Sequence, residues 1–207
     1  MDHLLKKDER RLMARLNSPC KIQAFLDQLS YSVEEGYRCP LRVLRERTAH
    51  CFDGAVFAAA ALSRLGHPPL ILRLLPNDRD DDHLLALFKR YGHWGALAQS
   101  NFVGLRFREP VYRTLRELVL SYFEQFYNVE HEKTLRAYTR PLNLQVFGDM
   151  RWMVDDRSLE KISQRLDRIP RFSIITEKMA QGLSPLDQRS YQAGLLGANK
   201  KGLYRPT

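Results

Sequence analysis

The run Ala55-Val56-Phe57-Ala58-Ala59-Ala60-Ala61-Leu62 most restricts what this chain can fold into. Alanine is the strongest helix former, and the run carries no polar side chain on any side. A helix that is apolar all round must be enclosed, and small side chains let its neighbours come close. Gly66 and then Pro68-Pro69 stop it near Leu65. At its other end stands Cys51, within Thr48-Ala49-His50-Cys51-Phe52-Asp53-Gly54. The expected element is therefore a buried helix from Cys51 to Leu65 with a thiol in its first turn. Free backbone N–H groups and the helix dipole favour a thiolate there. Asp53 is expected to be a first-turn acid held by the same dipole.

Around this helix the pattern is mixed. Leu4, Leu5, Leu12, Met13 and Leu16 form one helical stripe, and Ser18-Pro19 opens a second helix carrying Ile22, Phe25, Leu26 and Leu29. Pro40 begins a short helix to Arg47. After the alanine helix, Leu70–Leu75, His83–Arg90 and Trp94–Asn101 read as strands, the last two joined at Tyr91-Gly92. Pro110 precedes an expected amphipathic helix from Tyr112 to Tyr127. Leu135–Leu144 and Met150–Val154 suit short extended segments. Ser158 should cap a helix from Leu159 to Leu166, and Ser184-Pro185 should begin a last helix before a basic tail. The expected class is α+β: a Cys-bearing helix on a small antiparallel sheet, with extra helices at both ends. We expect one domain over 1–207, with N-terminal helices in 1–40, the core in 41–155 and C-terminal helices and tail in 156–207.

A length of 207 residues, 44% hydrophobic and 28% charged, suits one sizeable core. No apolar run reaches the roughly 18 residues needed to span a bilayer, and the first residues lack the apolar stretch of a signal peptide. The expected location is the cytoplasm. Cys20, Cys39 and Cys51 lack metal-ligand spacing, and their odd number does not make a disulfide framework. Cys20 and Cys39 are read as small buried or half-buried thiols. Asp78, Asp80, Asp81 and Asp82 lack the Gly and terminal Glu of a calcium loop and are read as a solvated acidic turn. No metal and no cofactor are expected. The net charge of +9 leaves nucleic-acid binding as a further reading, but no recognition-helix, zinc-finger or RNA-binding signature accompanies it.

A cysteine nucleophile needs a base, a group that orients the base, and donors for an oxyanion. His83 is the candidate base, because it opens a strand beside a polar turn. His50 is adjacent to Cys51, and neighbours on a helix do not face each other. A two-residue turn at Tyr91-Gly92 sets His83 opposite Ser100, and a three-residue turn sets it opposite Asn101. Either can orient an imidazole, the amide of Asn101 with the better chemistry. Gln99 is a third choice.

Cys51-Phe52-Asp53-Gly54-Ala55, continued through Leu65-Gly66-His67-Pro68-Pro69 into a strand, resembles the transglutaminase-like branch of the papain-like cysteine enzymes over residues 45–102. That family sets a Cys at a helix start, a His on a following strand, and an acid on the next strand shortly after a Trp. Cys51, His83 and Trp94 match. The family's His-Ala-Trp is His83-Leu84-Leu85 here, and Ala98 stands where the acid is expected. The resemblance implies acyl transfer through a thioester, by hydrolysis of a peptide or amide or by transfer to an amine. Cys51 would attack, His83 would act as base and then acid, Asn101 or Ser100 would orient it, and the Cys51 N–H would serve the oxyanion. The implied partner is a peptide or protein substrate. The missing acid opens another reading, a catalytically silent domain that binds protein or peptide through the same cleft.

Overall fold

The computed structural model describes residues 4–148 and 151–206, and its centre is the alanine-rich helix. Three helices come first: α1 (Lys7–Arg15), α2 (Pro19–Leu26), capped by the Ser18 hydroxyl, and α3 (Pro40–Glu46). Two short strands, β1 (Ser30–Tyr31) and β2 (Thr48–Ala49), pair in parallel and bring Tyr31 beside the start of α4 (Cys51–Ser63). Every residue of α4 from Phe52 to Leu62 is buried. Gly54 shows how close its neighbours lie: a Cβ there would fall 2.3 Å from that of Gln99. Gly66 closes the helix at φ +85°, a conformation that favours glycine.

An antiparallel sheet of seven strands supports α4. In chain order the strands are β3 (Leu70–Pro76), β4 (His83–Arg90), β5 (His93–Leu97), β6 (Arg108–Tyr112), β7 (Leu135–Thr139), β8 (Leu142–Asn143) and β9 (Arg171–Ser173). Their spatial order is β6-β5-β4-β3-β7-β9, with β8 also on β3. Arg90 pairs with His93, so Tyr91-Gly92 is a two-residue turn, and both its residues have the positive φ that a twisted hairpin requires. Leu84, Ala86 and Phe88 pack with α4, while Leu85 and Leu87 pack with α5 (Leu115–Leu120) and the aromatics after it. The remaining helices are α6 (Arg157–Asp167), α7 (Glu177–Gln181) and α8 (Gln188–Gly194). The α+β arrangement, with a Cys-bearing helix on an antiparallel sheet and helices at both ends, is as expected.

Several local expectations change. The helix expected from Tyr112 starts only at Leu115, where the Thr114 hydroxyl caps it, because Arg108–Tyr112 is taken up as an edge strand on β5. After Leu120 it gives way to a 3-10 turn at Phe123–Gln125. The strand expected to reach Asn101 stops at Leu97: the Gln23 side chain bonds both the N–H and the C=O of Ala98, in place of a further strand partner. Arg151–Met153 is a 3-10 turn and not extended, and Met150 lies outside the described residues. Asp187, not Ser184, caps the last helix. Cys20 is exposed, whereas Cys39 is buried and its thiol is pushed up to about 12 by that burial. No helix among the described residues is long and apolar enough to cross a membrane.

Candidate functional site

The start of α4 is built by reciprocal capping. The His50 ring Nδ1 accepts from the N–H groups of Phe52 and Asp53, at 3.1 and 3.4 Å. The buried Asp53 carboxylate accepts in return from the His50 N–H at 3.3 Å and from the Arg38 N–H at 2.8 Å. Asp53 is thus the first-turn acid expected from the sequence. The same cap has a chemical consequence. The Phe52 and Asp53 N–H groups, which would otherwise favour a thiolate at the helix start, are bonded to imidazole. Burial raises the Tyr31 phenol, and the nearby Cys51 and aspartates add to the shift, while the Cys51 backbone N–H works against it.

Cys51 itself is partly buried. Its thiol donates weakly to the Asp82 carbonyl at 3.8 Å. Burial pushes the thiol well above its ordinary range, and Asp82, Asp81 and Asp53 push it further, against the Leu84 N–H. The group is held as a neutral thiol. It opens on a cleft of about 450 Å³, whose other walls include Tyr31, Tyr37, Arg73, Asp82 and the segment Lys201–Tyr204.

His83 lies on the other side of the sheet. It pairs with Leu74 in the β3 register, so its ring shares the face of Leu85 and Leu87, away from α4. Its Nε2–H donates to the Leu105 carbonyl at 2.8 Å, which fixes the proton on that nitrogen. Burial, and secondarily the charge of Arg108, lowers its pKa to about 4, so the ring is neutral. His83 does share a second, smaller cavity with Ser100 and Asn101, but neither orients it. The Ser100 hydroxyl accepts from the Phe102 N–H at 3.0 Å, turning the chain locally. The Asn101 amide bonds the backbone of Asn199 twice, donating to its C=O at 2.8 Å and accepting from its N–H at 2.7 Å. The expected Cys-His-Asn/Ser constellation is therefore not assembled. Residues 83, 100 and 101 line one cavity, and strand alternation turns His83 away from the face that carries α4.

The cleft shared with Cys51 holds Arg73, which the sequence pattern did not single out, and Asp82, expected only as part of a solvated turn. Arg73 spans Asp82 and Asp167, at 3.2 and 2.9 Å, and its Nε is buried with no partner among the described residues. A lone arginine inside the apolar run Leu70–Leu75 was the available signal. Asp82 shares the parity of Leu84. The acidic turn is less solvated than expected: Asp80 is bonded by the Thr134 hydroxyl, and burial raises both Asp80 and Asp82 to about 6. No group of three or more His, Cys, Asp or Glu side chains among the described residues is arranged to hold a metal ion.

No family model and no curated protein matches this sequence. Two solved structures of Legionella pneumophila LapG, one from EGTA-treated protein, are similar in backbone, each at 13% identity with a TM-score of 0.42. Each match covers 80% of this chain, and 90% and 92% of the respective LapG chains.

Proposed function

We propose that this chain is a transglutaminase-like domain that binds a polypeptide segment in its Cys51 cleft without transferring an acyl group. One observation carries the reading: Cys51 and His83 lie on opposite faces of the sheet, each bonded to a different backbone carbonyl. A thiol separated from its expected base His83 and surrounded by carboxylates is a poor nucleophile. The cleft remains large enough for side chains of a bound segment.

The test is the pH dependence of iodoacetamide alkylation at Cys51, with Cys20 as the exposed internal reference. We expect the Cys51 rate to rise up to and beyond pH 9, with no plateau on the acid side. A plateau below pH 7, or a thioester trapped on Cys51 by an activated ester, would overturn the binding reading. Either result would support the second reading, Cys51-dependent acyl transfer, which is favoured by the thiol's place at a helix start facing the cleft.

A further inference from the structure

The cleft already contains a polypeptide. After α8 the chain returns across the molecule, and Asn199 is gripped at both ends of its peptide unit by the Asn101 amide. The Asn199 side chain bonds the Tyr31 carbonyl at 3.2 Å, and its oxygen accepts from the Lys201 N–H at 3.2 Å. Gly202 then lies flat on Tyr31 and Val33: a Cβ there would fall 2.9 Å from the Tyr31 ring. Lys201, Gly202, Leu203 and Tyr204 wall the Cys51 cleft, and Gly202 and Tyr204 also wall the cavity that holds His83.

Two properties of this crossing distinguish it from ordinary packing. The first is charge. The segment carries Lys200, Lys201 and Arg205, while the cleft beneath presents Glu34, Asp81 and Asp82. Its own cation, Arg73, is already engaged by Asp82 and Asp167. The chain as a whole has a net charge of +9, so this acidic hollow runs against the overall balance. The second is the slightness of the hold. Beyond the Asn199 grip, Tyr204, Arg205 and Pro206 make no hydrogen bond to any described residue, and Lys200, Lys201, Tyr204 and Arg205 are exposed. A segment tied at one point and loose beyond it can be lifted while the sheet stays intact.

We propose that residues 199–206 are an internal ligand of the Cys51 cleft, and that the cleft's external partner is an extended, basic polypeptide segment that takes their place. This rests on the binding function proposed above. A tethered segment competes at an effective concentration on the order of millimolar, so it masks the cleft from any weaker external segment. A partner must combine positive charge with a small residue at the position of Gly202, where Tyr31 leaves no room for a side chain.

The experiment uses the full chain and a fluorescent peptide with the sequence of Asn199–Pro206, followed by anisotropy at low salt. Asn199→Pro removes the N–H held by Asn101 and the side chain that bonds Tyr31, and Gly202→Val drives the segment off Tyr31. Each variant should bind the peptide about 100-fold more tightly than the unaltered protein, since the internal competitor is gone. Cys51 alkylation should rise about tenfold in both, and saturating peptide should reverse the rise. A peptide with Glu at both lysine positions should bind at least about tenfold more weakly. Equal peptide affinity for the unaltered chain and the folded variants would overturn the proposal, as would equal binding of the charge-reversed peptide. If either variant fails to fold, hydrogen exchange in the unaltered protein decides. Excess peptide should speed exchange at Lys201 and Gly202, and unchanged exchange would overturn the proposal. A thioester on Cys51 would sink the non-catalytic function whatever the segment does. Absence of competition without acylation would sink the internal ligand alone.

Discussion

The two faces of the large sheet are packed by opposite means. On one, the alanine-rich α4 packs on β4, whose Leu84 and Ala86 share its core, and close approach does the work of filling space. On the other, Leu118, Tyr122 and Phe126 cover Leu85 and Leu87 with bulk. The small-residue face holds a helix so near the strands that the position of Cys51 is fixed. The large-residue face buries His83, whose ring stays neutral. Residues 83 and 84 are neighbours in sequence and belong to different cores. Order along the chain therefore gives no information on which groups can react together; strand parity does.

This contrast can be broken by experiment. The bulky face should suffer most from subtraction. Tyr122 is fully buried, donates to the Arg106 carbonyl at 2.9 Å and carries the Arg108 guanidinium 3.9 Å above its ring. Tyr122→Ala should cost about 4 kcal/mol in urea unfolding. The buried histidine gives the next effect. The folded pKa of His83 is about 4, below the 6.5 of a free imidazole. As pH falls the unfolded chain is protonated first. The stabilisation by His83 is thus complete above about pH 6.5 and lost as pH falls towards 4, a change of up to about 3 kcal/mol. Asp80 and Asp82, raised to about 6, act in the opposite sense over part of this window. The quantity to follow is therefore the stability difference between the unaltered chain and His83→Gln. A difference constant with pH would mean that the ring is not buried. The alanine face should suffer from addition: Ala59→Leu, with no exposed surface to expand into, should cost about 2 kcal/mol. If Ala59→Leu proves neutral, the close-packed description of α4 fails. The smallest effect is expected at the partly buried thiol, where Cys51→Ala should change stability by less than about 1 kcal/mol. A larger loss would give the thiol a structural role.

Much of the fold was legible in the sequence. The alanine run, its Gly66 stop and its Cys51 start gave α4 almost to the residue, and Tyr91-Gly92 gave the hairpin and its register. The site was legible only in part. The register expected from the turn ran past Leu97, where β5 ends, so Ser100 and Asn101 share a cavity with His83 without pairing to it. Gln23 ended β5 early through a contact from α2, distant in sequence. The use of Asn101 on the backbone of Asn199 joins positions 98 residues apart, and nothing local to either announces it. Arg73 and Asp82 were readable as a charged residue in a buried strand and as the residue sharing the parity of Leu84.

Asp82 and Leu84 point where His83 does not, and the Asp82 carbonyl already touches the Cys51 sulfur. The codons for aspartate and histidine differ by one base. Counted in mutations rather than ångströms, an imidazole on the cysteine's side of the sheet is one substitution away, Asp82→His. The same substitution would remove one of the two carboxylates that hold Arg73. Binding cleft and potential thiol enzyme are thus neighbours in sequence space, separated by which of two consecutive positions at the entry to β4 carries the ring.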